Sequence, residues 1–470
     1  MKVLVAIANF GLKNMKHLDR LIMEYRSMPY DVDIVVLSNI PKDFGVGIEV
    51  VVGLPTKNPW SLPFGHKTLF ADRVDEYDLF IYSEDDTLLT EMNINAYLEV
   101  TESLPGNIIA GLMRYELDAN GRKYCPDVFS HFHWFPESVQ TINGLTFARF
   151  SNNHSACYIL TRDQLKAAIS SNGFLVSPHE GRYDLLCSAA TDPYTQCGFT
   201  KVMCLSRFEE FLLHHLPNTY AGKIGLALDD VWAQIEALKE IEMGKRSSMQ
   251  LYNTVKKVNS PDWNKNYYES ANMEIMAAVQ SNAKDVLSVG SGWGALEKTL
   301  KKNGYNVECI PLDCVISVAL EVEGIRIYEP NFDLAIRNMK EKKYDCVILS
   351  EVLQHLENPS DFLVEIADIL REGGILIVSA PNMNHVRTKY KKSINTVFDR
   401  SSDHFRNNGF HITTKLTIKD WFQKGGIHPT KFKYICEGRY KKYDDLTMGL
   451  FKGILGSKII CIGEKRGKGS

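Results

Sequence analysis

The chain has 470 residues, of which 44% are hydrophobic and 24% are charged, as in a globular protein. This length exceeds a single ordinary hydrophobic core, so we expect two domains. The formal net charge of −3 offers no basic surface for nucleic acid, which is therefore not an expected partner. The sequence contains no uninterrupted apolar segment of about 18 residues, and this predicts that no helix spans a membrane.

The ten cysteines are scattered, without a C-x-x-C pair or a zinc-like spacing. They indicate reduced, mostly buried thiols of a cytoplasmic protein. The apolar run at the N-terminus is short, so it predicts a buried first strand rather than a signal peptide. The last stretch, Lys465–Ser470, is locally basic. Such a stretch is more often a frayed tail than a binding arm, although it favours weak peripheral contact with anionic lipid headgroups.

Residues 1–220 alternate strand-like and helix-like segments. Strands are predicted at Val3–Ala8, Val32–Leu37, Ile48–Val52 and Leu79–Ser83, and helices near Lys13–Met28 and His66–Val74. This alternation predicts a parallel-rich α/β sheet. A helical pattern at Leu226–Ile241 then leads into a polar break near residues 245–260, which separates two predicted domains, 1–245 and 246–470.

Three consecutive carboxylates, Glu84, Asp85 and Asp86, follow the fourth predicted strand directly. Like charges packed together need a cation to offset them. On an extended chain Glu84 and Asp86 point to one side and Asp85 to the other, so two acids are able to share a divalent ion, or to divide between an ion and a sugar. An acidic turn on the surface is the alternative interpretation.

With this motif, residues 1–220 resemble a glycosyltransferase of the GT-A type, in which a D-x-D-like motif ends the central strand and holds Mn²⁺ or Mg²⁺ against the diphosphate of a nucleotide sugar. The resemblance implies a nucleotide-sugar donor, a glycan acceptor, and Asp86 as the chief metal ligand with Glu84 beside it. It also implies a distal histidine ligand, for which His215 is preferred to His214. The E-D-D sequence departs from D-x-D.

The same resemblance places further residues around the donor. His66 and Lys67 would reach the base or the phosphate, and the ends of the first two strands would face the nucleoside through Ala8, Asn9, Ser38 and Asn39. An inverting transfer needs a carboxylate base to take the acceptor proton, and Asp184, ahead of Glu180, is the candidate. Either carboxylate is equally interpreted as an ordinary helix cap.

A second motif lies in the other half, where an apolar strand-like run ends in Gly290, Gly292 and Gly294 and a helix-like segment follows. Glycines at these positions let the backbone turn tightly and approach a ligand, while the helix N-terminus offers free N–H groups. Asp313 lies 19 residues beyond Gly294, after a second strand-like run. An acid there is able to hold ribose hydroxyls, so the pattern predicts a cradle for a nucleotide-like cofactor.

Two further sequence segments begin at Tyr344 and Ile369. With these segments and the glycine motif, the region 265–430 resembles a class I S-adenosylmethionine-dependent methyltransferase. The resemblance implies a doubly wound, Rossmann-like domain with S-adenosylmethionine as its cofactor. It assigns to the cofactor Gly290, Ser291, Gly292, Gly294, Asp313 and Glu351.

Two features of the glycine motif bear on this resemblance. Ser288 stands where the family usually carries an acid, so we expect the contact to the methionyl end to differ here. The glycines form G-x-G-x-G, whose last glycine comes one residue too early for the dinucleotide fingerprint, and this disfavours a nicotinamide-dependent enzyme.

Methyl transfer to a hydroxyl requires the protein to position the nucleophile and to remove its proton, a task that suits histidine. The candidate bases are His355, after the fourth strand, and His411, before a predicted helix at Thr417–Gly425. The joint interpretation is a bifunctional enzyme of glycan assembly, which adds a sugar and O-methylates the same glycan. The alternatives are a methyltransferase whose N-terminal half only binds glycan or nucleotide, and a non-enzymatic scaffold.

Overall fold

The structure, a computed structural model, describes residues 1–252, 263–339, 341–386 and 404–465. The chain divides into two compact units, Met1–Lys245 and Arg246–Ser470. Within the described ranges, no helix is both long and apolar enough to cross a membrane. Apart from Lys465, the basic tail predicted from the sequence lies outside the described residues.

The first unit is an α/β structure. Its strands are β1 (Lys2–Asn9), β2 (Asp31–Ser38), β3 (Ile48–Val52), β4 (Leu79–Glu84), β5 (Thr87–Leu88), β6 (Ile108–Ala110), β7 (Met113–Leu117), β8 (Lys123–Cys125), β9 (Trp134–Ile142), β10 (Leu145–Phe150), β11 (Cys157–Thr161), β12 (Thr200–Cys204), β13 (Leu212–His215) and β14 (Leu226–Ala227). Its helices are α1 (Met15–Ser27), α2 (Gly65–Asp72), α3 (Glu91–Ser103), α4 (Arg162–Ser170), α5 (Leu185–Thr195) and α6 (Leu228–Glu242), and 3-10 turns cover Pro59–Phe64 and Phe208–Phe211. The elements predicted up to β4 are confirmed, with ends that differ by at most two residues.

A five-stranded sheet forms the core of this unit, in the order β11-β4-β1-β2-β3. Strands β1 to β4 run parallel, and β11 runs antiparallel to β4. The strands β1 and β4 are almost wholly apolar and buried, as expected for strands covered on both faces. The chain builds outward from β1 to β3 and then returns to the other side of β1. The strand order therefore reverses between β1 and β4, and ligands of doubly wound sheets bind beside the carboxyl ends of the strands at such a reversal.

Two further sheets, of four and five strands, complete the first unit, in the orders β6-β12-β10-β9 and β14-β8-β7-β13-β5. In the second of these, β13 pairs antiparallel with β5, so that His215 lies opposite Thr87. Because Thr87 follows the three carboxylates directly, this pairing brings a residue from far along the chain to the acidic motif.

The second unit is also α/β. Its strands are β15 (Asp285–Ser291), β16 (Asn306–Pro311), β17 (Arg326–Ile327), β18 (Tyr344–Ser350), β19 (Leu370–Pro381), β20 (His428–Ile435) and β21 (Lys458–Glu464). Its helices are α7 (Met273–Met276), α8 (Ala295–Lys302), α9 (Val318–Glu321), α10 (Phe332–Asn338), α11 (Pro359–Ile369), α12 (His404–Asn408), α13 (Lys415–Lys424), α14 (Arg439–Leu446) and α15 (Lys452–Leu455), and a 3-10 turn covers Leu353–His355.

One seven-stranded sheet runs through the second unit, in the order β17-β16-β15-β18-β19-β21-β20. Strands β15 to β19 are parallel, and β21 runs antiparallel to both of its neighbours. Apolar side chains of β15 pack on both faces of the sheet, with Leu287 and Val289 in one core cluster and Val286 in another. The strand order again reverses between β15 and β18, which are neighbours in the sheet but are the first and the fourth of its strands along the chain. The predicted doubly wound arrangement is present in this unit, and it directs attention to the carboxyl ends of β15 and β18.

Candidate functional site

The glycine turn at the end of β15 is enclosed by other parts of the protein. Gly290 has a φ of 75°, and a Cβ atom there would come within 2.1 Å of the Val352 side chain. A Cβ atom on Gly292 would come within 2.2 Å of the Tyr267 carbonyl oxygen, which accepts a 2.7 Å hydrogen bond from the Trp293 N–H. Only glycine fits these two positions, because protein atoms already occupy the space that a side chain would need.

Asp313, the predicted ribose ligand, lies just beyond the end of β16 and is buried. One of its carboxylate oxygens accepts hydrogen bonds from the N–H groups of Val315 (2.8 Å) and Ile316 (2.7 Å). The neighbouring strand β15 leads into Gly294, whose φ of 87° starts helix α8. The glycine turn and Asp313 therefore lie at the same edge of the sheet, as the sequence predicts.

Ser288 occupies the strand position where an acid is usual, and its partner is a carboxylate on the following helix. The Ser288 hydroxyl donates a 2.6 Å hydrogen bond to Glu297 Oε1, and both side chains are buried. Burial raises the pKa of Glu297 above its ordinary value. Although the strand carries a serine where an acid is usual, the carboxylate of Glu297 lies beside this position. The sequence analysis did not single out Glu297.

Several charged residues gather at the carboxyl ends of β18 and β19. The buried ammonium group of Lys265 pairs with Glu269, which also accepts a 3.3 Å hydrogen bond from Ser350. Glu351, predicted to contact the cofactor, has a positive φ of 55° and forms a 2.5 Å ion pair with Lys458. A non-glycine residue in this conformation is strained, and such strain is concentrated at functional sites.

The two candidate bases, His355 and His411, are brought together by Gln354. The Gln354 backbone carbonyl accepts a 2.8 Å hydrogen bond from the backbone N–H of His411, and the Gln354 side-chain nitrogen lies 3.1 Å from His355 Nε2. His355 is buried and stacks on Tyr252, whereas His411 is partly exposed and its Nε2 lies 3.0 Å from the Glu357 carbonyl oxygen. Burial lowers the pKa of His411.

In the first unit, Asn9 and Asp85 meet where the strand order reverses. Asn9 ends β1, and its side-chain nitrogen donates a 2.5 Å hydrogen bond to Asp85 Oδ2. Asn14 donates a 2.8 Å bond to the other oxygen of Asp85, and Lys42 donates to Asn9. Burial and the neighbouring Asp86 raise the pKa of Asp85 to about 6, although the two amides oppose the shift.

Asp86 and His215, proposed as metal ligands from the sequence, lie close together. Asp86 Oδ1 is 3.5 Å from His215 Nε2, and His215 Nδ1 is 2.5 Å from Glu116 Oε1. Burial alone lowers the pKa of His215, but contact with Asp86 raises it overall. The runner-up, His214, faces away to stack on Tyr115.

Glu84 is close to a largely buried cation, Arg114, that sequence reasoning missed. The Arg114 guanidinium forms a 2.6 Å ion pair with the buried Asp127, and its charge also acts on Glu84. Burial, together with Asp86, nevertheless raises the pKa of Glu84 to about 8. The local sequence gave no signal for Arg114, because it reaches the carboxylates through strand β7 of a different sheet.

The predicted trio of Glu84, Asp86 and His215 does not form a complete metal centre. Within the described ranges, no group of three or more histidine, cysteine, aspartate or glutamate side chains is arranged to hold a metal ion. Within the trio, a contact joins Asp86 to His215 Nε2. The other ring nitrogen of His215, Nδ1, is occupied by Glu116. Glu84 Oε1 is nevertheless buried without a hydrogen-bond partner, which is the condition of an oxygen that fits a cation, and the buried Asp86 Oδ1 faces His215 Nε2.

His66 and Lys67 do not have the positions expected of ligand contacts. His66 is fully buried, with its ring nitrogens against the Pro63 carbonyl oxygen (2.5 Å) and the Tyr158 hydroxyl. Lys67 is buried in an ion pair with Asp192. This part of the prediction is wrong, because α2 turns both side chains into the protein, where internal partners satisfy them.

The two predicted carboxylate bases have different surroundings. Asp184 caps helix α5, since its Oδ1 accepts a 2.9 Å hydrogen bond from the Cys187 N–H, and Glu180 is exposed in the preceding loop. The capping role of Asp184 is the alternative that the sequence analysis left open. Burial, together with the nearby Glu84 carboxylate, raises the pKa of the Cys187 thiol, so α5 begins near the acidic motif.

The remaining predicted substrate contacts lie at the ends of β1 and β2. Ala8 is buried beside Glu84 in the adjacent strand. Ser38 is buried, and its hydroxyl donates a 2.7 Å hydrogen bond to the Ile40 carbonyl oxygen. Asn39 accepts a 2.7 Å bond from the Gly11 N–H. Both polar side chains therefore shape the loops at this edge.

Comparison with known proteins bears on the second unit. Residues 265–429 match a family model described as "Methyltransferase domain". A ubiquinone biosynthesis O-methyltransferase of Shewanella pealeana is 36% identical over 107 residues, which cover 22% of this chain and 45% of that protein. The corresponding Rickettsia typhi protein is 30% identical over 105 residues, or 21% of this chain and 41% of that protein. The chain thus spans less than half the length of these relatives.

Solved structures that match part of the chain have low sequence identity to it. An S-adenosylmethionine-dependent methyltransferase of Archaeoglobus fulgidus is 14% identical, with a TM-score of 0.32, over 41% of this chain and 91% of that chain. A possible histamine N-methyltransferase of Thermotoga maritima is 14% identical, with a TM-score of 0.30, over 41% of this chain and 87% of that chain.

Residues 265–429 form a class I S-adenosylmethionine-dependent methyltransferase domain. The family match begins only at residue 265 and does not extend to the first unit. S-adenosylmethionine follows as the cofactor of the second unit. The glycine turn and Asp313 fit it, because they bring the N-terminus of α8 and a buried carboxylate to one edge of the sheet.

Proposed function

We propose that the methyltransferase domain transfers the methyl group of S-adenosylmethionine to a hydroxyl oxygen of a sugar. The observation that carries this proposal is the cluster after β18, in which Gln354 contacts both His355 and His411. When bound, S-adenosylmethionine supplies an electrophilic methyl group. A hydroxyl that attacks it must lose a proton, and a neutral imidazole nearby is suited to accept that proton.

Of the two histidines, His411 is the proposed base. The Glu357 carbonyl oxygen, 3.0 Å from Nε2, only accepts hydrogen bonds, so Nε2 carries the hydrogen and Nδ1 keeps its lone pair. The pKa of His411 is lowered by burial, which keeps the ring neutral near pH 7. His355, at 3% exposed, is the proposed positioning residue.

The names of the relatives support oxygen as the atom that is methylated. Their acceptors are not carried over, because the chain covers less than half of each relative. The proposal that the acceptor is a sugar comes from the first unit.

For the first unit we propose transfer of a sugar from a nucleotide-sugar donor to the same glycan. The supporting observation is the meeting of Asn9 and Asp85 at the carboxyl ends of two parallel strands where the strand order reverses. This is the place where a doubly wound sheet binds a nucleotide. Asp184, at the start of α5, is the proposed base for this step.

A divalent cation, Mn²⁺ or Mg²⁺, is proposed to lie between Asp86 and His215. Two protein ligands suffice if diphosphate oxygens and water provide the others, as is usual where Mg²⁺ binds phosphates. The buried, partnerless Glu84 Oε1 and the 3.5 Å approach of Asp86 Oδ1 to His215 Nε2 support this arrangement. A cation would also offset the repulsion between the carboxylates and a diphosphate.

The competing function is a methyltransferase whose first unit binds a nucleotide or glycan without catalysis. Thermal unfolding with a panel of nucleotide diphosphate sugars, with and without Mn²⁺, tests the donor site, because a ligand of the folded state raises the melting temperature. Stabilisation that needs both components supports the proposal. Stabilisation that EDTA leaves intact contradicts the metal. Binding without any release or transfer of sugar, with glycan acceptors present, favours the competing function.

Methyl transfer is tested separately. The full chain is incubated with isotopically labelled S-adenosylmethionine and with a sugar glycoside, an amine and a ubiquinone-type phenol as acceptors. Labelled methyl on a sugar oxygen is the expected result. Label on nitrogen would contradict O-methylation, and label on the phenol alone would contradict a sugar acceptor.

A further inference from the structure

The segment between β20 and β21, residues 436–457, exposes an unusual concentration of apolar side chains. Among the described residues, six large apolar side chains are more than three-quarters exposed, and three of them lie here within five residues: Leu446 (79%), Met448 (93%) and Leu450 (83%). Phe451 beside them is half exposed. We call residues 446–451 the apolar tip. Single exposed apolar residues are normal on a protein surface, but contiguous ones mark a binding surface.

The base of this segment is fixed to the methyltransferase sheet. The Asn382 side chain, just after β19, donates hydrogen bonds to the carbonyl oxygens of Gly453 (2.9 Å) and Gly456 (2.8 Å). On the other side, the ring of Tyr440 packs edge-on against His385, with 4.6 Å between ring centroids. The apolar tip is therefore held out from the sheet by an ordered base, and its exposure does not arise from an unanchored loop.

Basic residues flank the apolar tip along the chain, and we call them the basic collar. The exposed basic residues of the segment are Arg439, Lys441, Lys442 and Lys452, against two exposed carboxylates, Glu437 and Asp445. A third carboxylate, Asp444, is buried and lies 3.7 Å from Lys452. The local excess of positive charge contrasts with the net charge of −3 of the whole chain.

An apolar tip with a basic collar has the chemistry of a surface that inserts shallowly into an anionic bilayer. Apolar side chains enter the boundary between headgroups and acyl chains, while lysine and arginine stay at the level of the anionic headgroups. A protein partner is less well matched, because protein interfaces are depleted in lysine, the residue that forms most of this collar.

We propose that the apolar tip docks the methyltransferase domain onto an anionic lipid membrane. Lys458, where β21 begins, pairs with Glu351 at the carboxyl edge of the sheet, and Asn382 lies at the same edge. The docked face is therefore continuous with the edge that holds the cofactor motifs. This inference does not depend on which acceptor is methylated.

Vesicle flotation of the full chain tests the proposal, with vesicles of phosphatidylcholine alone and of phosphatidylcholine mixed with phosphatidylglycerol. The wild type is expected to float with the mixed vesicles and weakly or not at all with phosphatidylcholine. Leu446→Ser combined with Leu450→Ser, and separately Lys441→Glu combined with Lys442→Glu, should each weaken flotation about tenfold or more. Val322→Ser is the matched control, because Val322 is 86% exposed and shortly precedes β17. The strands β17 and β20 are the two outermost strands of the sheet, so this residue lies on the other side from the tip.

A second measurement reports the position of the tip directly. Leu450→Trp should gain fluorescence that shifts to the blue with anionic vesicles and is quenched by brominated lipid, after subtraction of the wild-type signal. Val322→Trp should show neither change. A variant that lacks residues 466–470 separates the tip from the basic tail and is expected to float like the wild type.

Several outcomes would overturn the proposal. One is a wild type that stays with the soluble fraction in both vesicle types, and another is a pair of tip variants that float as well as the wild type. Loss of flotation on removal of residues 466–470 alone would assign membrane contact to the tail. If the serine variants instead convert a dimer to a monomer on gel filtration, and no vesicle binding is found, the apolar tip contacts a second copy of the chain.

Discussion

Ser288 in β15 and Glu297 in α8 share a 2.6 Å hydrogen bond that ties the glycine turn to the helix after it. Because both side chains are buried, the carboxylate stays in a place that water does not reach. The short contact means that an acid at position 288 of the strand and an acid at position 297 of the helix are alternatives. Two carboxylates in contact at a buried site would repel each other unless a cation lay between them.

The first prediction uses this exclusion. Ser288→Asp should destabilise the domain by about 2 kcal/mol or more, because it places two carboxylates in contact in a buried position. Adding Glu297→Gln should recover most of the loss, since one carboxylate then faces an amide. Chemical denaturation of the wild type, both single variants and the double variant measures the coupling. Additive effects of the two substitutions would contradict the proximity of the side chains.

The second prediction concerns pH. The folded state raises the pKa of Glu297 by burial, so folding favours its protonated form. The stability from this residue is present below the unfolded pKa and is lost as pH rises through the folded value. Glu297→Gln, which cannot ionise, should therefore gain stability relative to the wild type between pH 4 and pH 7. Chemical denaturation of both proteins at pH 4 and at pH 7 measures this gain, and an equal difference in stability at the two pH values would contradict it.

The third prediction separates two roles of Asp313. Asp313→Ala should weaken binding of S-adenosylhomocysteine by about 1.5–3 kcal/mol, by loss of charge-assisted hydrogen bonds to ribose. It should also lower the melting temperature, since it removes the acceptor for the Val315 and Ile316 N–H groups. Asp313→Asn keeps an acceptor oxygen, so it should restore stability more than affinity. Titration calorimetry on both folded variants measures the affinity for S-adenosylhomocysteine. An affinity equal to that of the wild type in either variant would show that Asp313 does not bind the cofactor.

The fourth prediction distinguishes the two histidines. His411→Phe keeps a ring to stack on Phe405, which lies 4.5 Å away between centroids, but it removes the proton acceptor. We expect kcat for methyl transfer to fall by about 10²–10⁴ while affinity for S-adenosylhomocysteine stays the same. His355→Phe is the matched comparison. A larger fall in kcat for His355→Phe than for His411→Phe would reverse the proposed roles.

The fifth prediction concerns the independence of the two units. Asp86→Ala in the full chain should abolish the Mn²⁺-dependent stabilisation by nucleotide sugars, because it removes one of the two protein ligands proposed for the cation. Binding of S-adenosylhomocysteine and methylation of a preformed glycan should continue. Loss of methylation in a folded variant that still binds S-adenosylhomocysteine would show that the reactions share one site.

The contacts that could be predicted best from the sequence are those between residues at the ends of adjacent strands. Asp313 and the glycine turn come together because each ends one of two adjacent parallel strands, and strand ends are visible in the pattern of apolar residues. The meeting of Asn9 and Asp85 has the same origin. In the methyltransferase domain the resemblance added the cofactor, which the family comparison supports.

Contacts that depend on distant elements were beyond the sequence pattern. His66 was expected to reach the base or the phosphate of the donor, but Tyr82 and Tyr158 from two separate strands pack against its ring. Arg114 reaches the acidic motif only because β7 and β5 lie on either side of β13. Likewise, the apolar tip has the composition of a core segment, and only the fold reveals that nothing in the described residues covers it.

The Tyr267 carbonyl oxygen has a practical consequence for anyone who divides this chain. It rests against Gly292 and accepts the Trp293 N–H, so one wall of the glycine turn comes from a segment that precedes β15 by nearly twenty residues. A fusion or truncation point chosen after residue 270, where the first regular helix of this unit begins nearby, would keep every strand and still leave the turn open on one side. The functional start of the domain is therefore set by a backbone atom in an irregular segment, and not by the first element of its sheet.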